Sequence, residues 1–131
     1  MSKTVRDVMH AGVVACDQHT NLRDALRMMS DNTIRSIVVT DEGCALCGIL
    51  SQTDLVNASL THPDTWSAMK VSELMTRKVL TVQPDTPLSD ATKVLIENHV
   101  HRIIVVDPAD PCAAVGVLAM SDIVRNLMGD E

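Results

Sequence analysis

The chain contains no phenylalanine and no tyrosine, and Trp66 is its only aromatic residue. A stacking platform for single-stranded nucleic acid needs several aromatic faces along a basic groove, so that class is excluded. The net charge of -6, from 11 Lys and Arg against 17 Asp and Glu, weighs the same way, and no nucleic-acid partner is expected. An acidic chain can still hold an anion, but only locally, through a few Arg, Lys, His and backbone N–H groups. Also missing is any apolar run near the roughly 18 residues of a membrane span, and Met1 to Asp7 lacks the apolar core of a signal peptide. The expectation is a cytoplasmic protein with no membrane partner.

Disulfide and metal frameworks are sparse too. Cys16, Cys44, Cys47 and Cys112 are expected to be reduced thiols in that compartment. Cys44 and Cys47 have C-x-x-C spacing, which keeps a thiol-redox or zinc protein as an alternative. Structural zinc wants four ligands, usually from two such pairs, and the chain has no second pair. His10, His19, His62 and His99 are scattered with no metal-ligand spacing. No nucleophile with its base is visible either, so neither catalytic residues nor a metal is expected.

What the chain has is aliphatic material and a repeat. Hydrophobic residues make up 46% of its 131 positions, enough for a core of Val, Ile, Leu, Met and Ala. Val5-Arg6-Asp7-Val8-Met9 matches Val71-Ser72-Glu73-Leu74-Met75, Leu22-Arg23-Asp24-Ala25 matches Leu88-Ser89-Asp90-Ala91, and Ile37 to Asp41 matches Ile103 to Asp107, all at one offset. The offset then lengthens by two residues, because the loop Pro108 to Cys112 is longer than its counterpart. A copy of roughly 60 residues is too small to bury its faces comfortably alone, so two copies packed together form the expected folding unit.

Each copy reads as strand, helix, strand, strand, helix. Val13 to Ala15 and Val79 to Val82 are short extended stretches. Thr20 and Thr86 are suited to cap the following helices, with Pro87 at a first helical position. Leu22, Ala25, Leu26 and Met29 keep helical spacing, as do Leu88, Ala91, Val94 and Leu95. Asn32 and Asn98 stand where a helix can end in a left-handed residue. Ile34 to Thr40 and Ala45 to Leu50 are expected to form a hairpin, as are Ile103 to Val106 and Ala113 to Leu118. Last helices are expected from near Thr53 and Ser121. The pattern predicts an α/β domain with pseudo-twofold symmetry, its copies joined by a linker carrying the turn His62-Pro63-Asp64 and Trp66.

Gly48-Ile49-Leu50-Ser51-Gln52-Thr53-Asp54 and its echo Gly116-Val117-Leu118-Ala119-Met120-Ser121-Asp122 each run from a strand through small or hydroxylated residues to an aspartate opening a helix. Such an aspartate can cap the helix, worth about 0.5–2 kcal/mol, or accept from the diol of a sugar. Both readings stay open.

These junctions, with Leu74-Met75-Thr76 opening a copy and His101-Arg102-Ile103-Ile104-Val105-Val106-Asp107 within it, resemble a tandem pair of CBS domains, often called a Bateman module. The stretch Val100 to Asp107 is similar to a copy in the γ subunits of AMP-activated protein kinases. The resemblance spans roughly residues 4–128 and implies two βαββα CBS repeats at 4–60 and 70–128, with 61–69 as linker. It further implies one pseudo-twofold module with two clefts for an adenine nucleotide or adenosyl ligand, and no required cofactor. The resemblance further implies a disc-shaped homodimer and control of an unknown protein target in trans. By the same resemblance Asp54, Thr53, Ser51, Asp122 and Ser121 serve the ribose, while Arg102, His101, Arg35 and Ser36 serve the phosphate. Thr76, Val79 and Leu80 would line the base at Asp54, and His10, Val13 and Val14 the base at Asp122. Ala119 in place of Ser51, and Ser36 in place of Arg102, imply two unequal clefts. The competing reading is a ligand-free dimerisation or interaction module using helix faces around Met9, Leu55 and Leu127.

Overall fold

The computed structural model describes residues 3–43 and 45–129. In chain order its regular elements are α1 (Val5–Val8), β1 (His10–Ala11), β2 (Ala15–Asp17), α2 (Leu22–Asn32), β3 (Ser36–Thr40), β4 (Leu46–Ser51), α3 (Gln52–Thr61), β5 (Thr81–Val82), α4 (Leu88–Glu97), β6 (Arg102–Asp107), β7 (Asp110–Ala119) and α5 (Met120–Gly129). Short 3-10 turns at Trp66–Ala68 and Val71–Glu73 fill the linker region. The fold is mixed α/β, with the strand, helix, strand, strand, helix order occurring twice. Among the described residues no helix is long and apolar enough to cross a membrane.

Two compact units emerge, and they do not follow the sequence copies. One runs from Val14 to Val79; the other joins the segment ending at Val13 to the segment starting at Leu80. The first holds Asp54 and the second Asp122. In the Asp54 unit, β2 pairs parallel with β3 and β3 pairs antiparallel with β4. In the Asp122 unit, β5, β6 and β7 repeat that arrangement and β1 adds to β7, giving the order β1-β7-β6-β5. The parallel pairs are bridged by α2 and α4, as parallel strands require a crossover.

The two cores match position by position. Leu22, Ala25, Met29, Ile37, Val39, Leu50 and Leu55 are buried in one; Leu88, Ala91, Leu95, Ile103, Val105, Leu118 and Ile123 are their counterparts in the other. Fully burying each large aliphatic side chain contributes about 1.5–3 kcal/mol. Trp66 is half-buried against the Asp54 core. Leu26 departs from expectation: it lies outside the stripe of Leu22, Ala25 and Met29 and is 42% exposed.

Helix ends also differ from the sequence reading by one residue. Asn21, not Thr20, caps α2, its Oδ1 accepting from the Asp24 N–H at 2.9 Å. Pro87 occupies the cap position of α4, while the Thr86 hydroxyl accepts from the Gln83 N–H at 3.1 Å. The left-handed residues are Thr33 and His99, with φ of 53° and 54°. Asn32 ends α2 and Asn98 follows α4 with φ of -98°, and each side-chain amide donates back four residues, to the Met28 and Val94 carbonyls at 2.8 Å. The N–H groups of Ile34 and Val100 then reach back to the carbonyls of Met29 and Leu95, closing the same motif twice.

The opening segment of each sequence copy docks on the other copy. Val5 N–H donates to the Thr86 carbonyl, Arg6 N–H to Pro84 and Leu88 N–H to Lys3, each at 2.9 Å. The matching bonds are Val71 to Thr20 at 2.8 Å, Ser72 to Gln18 at 3.0 Å and Leu22 to Met69 at 2.8 Å. Thr20 and Thr86 thus serve this docking through their carbonyls. The segments then run along β7 and β4: His10 pairs with Val117, and Thr76 exchanges two bonds with Ile49 at 2.9 and 3.0 Å. Glycine permits the approach. A Cβ at Gly116 would stand 2.6 Å from the His10 carbonyl oxygen, and one at Gly48 would stand 2.5 Å from Met75 Sδ.

A backbone carbonyl held in a strand yields less readily than a methionine tip. Gly116→Ala is therefore expected to destabilise by about 1–3 kcal/mol, and Gly48→Ala by less, measured as urea midpoints at constant slope. Equal midpoints for both variants and the parent would contradict the close-approach account.

Candidate functional site

Each unit presents a strand-to-helix junction beside the start of the neighbouring strand. In the Asp54 unit the Gln52 N–H donates to the Arg35 carbonyl at 2.9 Å, and Ser36 stands opposite Ser51 across β3 and β4. In the Asp122 unit the Met120 N–H donates to the His101 carbonyl at 2.7 Å, and Arg102 stands opposite Ala119. The four residues assigned to phosphate are thus beside the aspartates of their own copies. Arg35 and His101 are exposed; Ser36 and Arg102 are half-buried.

Both aspartates cap their helices through Oδ2. Asp54 accepts from the Ser51 N–H at 2.8 Å and from the Ser51 hydroxyl at 3.0 Å, while that hydroxyl accepts from the Asp54 N–H at 3.3 Å. Asp122 accepts from the Ala119 N–H at 2.8 Å, with no hydroxyl to complete the box. The same back-bonded acid recurs at Thr4 and Asp7 and at Lys70 and Glu73, so capping alone marks no ligand site. Hydrogen bonds from the Thr4 N–H and hydroxyl hold the Asp7 carboxyl below its ordinary range.

The second carboxylate oxygen separates the two junctions. Asp54 is half-buried, and its Oδ1 meets no donor among the described residues. The Asp122 side chain is fully buried, and its Oδ1 is met by the Arg125 guanidinium and by His10 Nε2 at 2.8 Å. His10 Nε2 also lies 3.2 Å from an Arg125 nitrogen. A ring nitrogen cannot donate to the carboxylate and accept from arginine together, and the shorter carboxylate contact assigns it as the donor.

Thr53 and Ser121 are exposed one residue before their aspartates. Thr76 lies against β4 in the Asp54 unit, and His10 against β7 in the Asp122 unit, so each keeps company with the aspartate it was assigned to. Val13 ends one unit's segment and Val79 the other's; Val14 packs in the Asp54 core and Leu80 in the Asp122 core. Arg125 was not singled out in the sequence, although its three-residue spacing from Asp122 in a helical stretch was a usable signal.

A family model for the CBS domain matches residues 5–61 and again 71–129. The chain belongs to the CBS-domain family. CBS domain-containing protein YhcV of Bacillus subtilis is 25% identical over 98% of this chain and 88% of its own. The CBS domain pair of protein MJ0100, solved with 5′-methylthioadenosine and S-adenosyl-L-methionine, is similar over 100% of both chains with a TM-score of 0.87 at 22% identity. That likeness is one of fold. CBSX2, solved in complex with AMP, is 27% identical over 97% of each chain with a TM-score of 0.81.

Three of the four thiols of this CBS pair lie among the described residues. Cys16 is buried in the Asp54 core, where burial and the neighbouring Asp17 push its thiol up to about 11. Burial also raises the thiol of Cys47, which lies on β4. Such thiols are poor nucleophiles at neutral pH. Cys112 is exposed, and Cys44 lies outside the described residues. Among the described residues no group of three His, Cys, Asp or Glu side chains can hold a metal ion.

The missing hydroxyl gives a direct test of the capping difference. Ala119→Ser is expected to raise stability by about 1 kcal/mol and Ser51→Ala to lower it by about the same, read from thermal or urea unfolding. A stabilised Ser51→Ala protein, or a destabilised Ala119→Ser protein, would contradict the geometry described.

Proposed function

We propose that the chain is a regulatory module that senses an adenine nucleotide, with AMP as the reference ligand, and that the ribose is received at Asp54. The observation carrying this reading is a carboxylate held by its cap bonds while Oδ1 faces no donor among the described residues. Two vicinal hydroxyls would supply charge-assisted bonds to it, at little cost in reorganisation. The exposed hydroxyl of Thr53 stands beside that carboxylate, Arg35 and Ser36 at the head of β3 offer phosphate donors, and Thr76 with Val79 offers a backbone edge and an aliphatic wall for the base. The AMP complex of CBSX2, at 27% identity over nearly the whole chain, supports the ligand class. The module carries no catalytic step in this reading; occupancy alters how it engages a protein target in trans.

Homodimerisation and target contact are assigned to apolar residues left exposed on two helices: Val56 and Leu60 on α3, and Val124, Leu127 and Met128 on α5. This corrects the choice of Leu55, which is 3% exposed and belongs to the core. Met9 is half-buried against the Asp122 core, so Leu127 alone of the three stays available. These same faces favour the ligand-free interaction module if no nucleotide binds.

Calorimetric titration separates the readings. AMP is expected to bind the parent, 2′-deoxy-AMP at least tenfold more weakly, and Asp54→Ala is expected to reduce AMP affinity to a similar degree; tenfold corresponds to about 1.4 kcal/mol. Equal affinity for the ribose and deoxyribose forms would reject the diol assignment. No heat and no thermal shift with AMP, ADP, ATP or S-adenosylmethionine at millimolar levels would favour the interaction module.

A further inference from the structure

The two junctions differ most where a ligand would have to arrive. Asp122 is the one charged side chain buried within a core among the described residues, at 2% exposure. Both of its oxygens are already satisfied from within the same unit: Oδ2 by the Ala119 N–H, Oδ1 by Arg125 and His10. The side chains that satisfy Oδ1 are themselves 60% and 69% exposed, so they close over the carboxylate from the solvent side. The repeat places Asn57 where the second copy has Arg125, and Thr76 where the first copy's opening segment has His10. Neither residue is charged, and neither meets Asp54 Oδ1 among the described residues.

We propose that Arg125 and His10 are an internal latch on Asp122, which keeps that junction closed to a ribose while the Asp54 junction is open. The inference rests on the reading of both aspartates as ribose anchors. An acceptor without a donor gains a new bond when a diol arrives. An acceptor holding a guanidinium and an imidazole must give up those bonds to gain the hydroxyl ones, and gains little. The protein then takes nucleotide at Asp54 first, and the Asp122 junction fills only when both latch groups have swung away. Arg125 and His10 act here through Asp122 and are positioning residues.

Exchanging latch residues between copies tests this without removing either aspartate. Titrated with AMP, the parent is expected to take one equivalent in the accessible concentration range. The variant Arg125→Asn with His10→Thr, which installs the residues of the Asp54 unit, is expected to take a second equivalent at least tenfold more tightly than the parent's second junction does. The reverse variant, Asn57→Arg with Thr76→His, is expected to lose at least tenfold in its first equivalent while keeping the parent's circular dichroism spectrum. Two equal sites in the parent would overturn the latch, as would a single equivalent in the unlatched variant. An Asp54→Ala titration run alongside distinguishes the failures: if it matches the parent, the ribose reading itself falls; if it weakens binding while the unlatched variant still takes one equivalent, only the latch falls.

Discussion

Close approach of one backbone to another at a glycine is the contact on which both units depend. At Gly48 and Gly116 a strand must accept a segment from the other sequence copy within a distance that leaves no room for a Cβ. That contact, continued by three matching backbone hydrogen bonds in each unit, ties Lys3 to Ala11 into one unit and Met69 to Thr76 into the other. Each unit is therefore built from both copies. The tie also brings His10 to Asp122 and Thr76 to Ile49 on β4.

Once the segments are docked, the two junctions share one frame and diverge in one detail. Capping fixes both aspartates through the oxygen nearer the helix N–H groups, a favourable place for an anion near the positive end of a helix. The other oxygen is left to the surroundings. In the first junction it faces no donor among the described residues; in the second it is claimed by two side chains, Arg125 and His10, in whose places the Asp54 unit has Asn57 and Thr76. Divergence of two copies at Asn57 and Arg125, and at Thr76 and His10, accompanies the difference between an Oδ1 with no donor among the described residues and one that is self-satisfied.

Much of this was legible in the chain because the repeat reports every core position twice. Leu22 with Leu88 and Ile37 with Ile103 are each supported by the other, and the element order follows from them. Element ends were less legible, since a threonine beside a helix can cap it or hold the turn before it, and the docking of another segment decided for the turn. An asparagine at a helix end faced a similar choice, and in both copies the left-handed residue is the one after it, Thr33 or His99. Exchange of the opening segments was legible only through the family resemblance, which set Thr76 at Asp54 and His10 at Asp122, and not from the repeat itself. Alignment of a repeat with itself says which residues correspond, not which copy they fold against. Arg125 escaped notice for a related reason: comparing copies draws attention to what they share, and the latch is made of residues they do not share.

The central claim is that the Asp54 carboxylate, with one oxygen committed to its helix, receives a ribose diol with the other. A crystal structure of the protein grown with AMP tests it most directly. The account predicts both ribose hydroxyls within hydrogen-bonding distance of Asp54, with the Ser51 cap bonds intact. Finding AMP bound with its phosphate or base at that carboxylate, or its ribose away from Asp54 altogether, would contradict it.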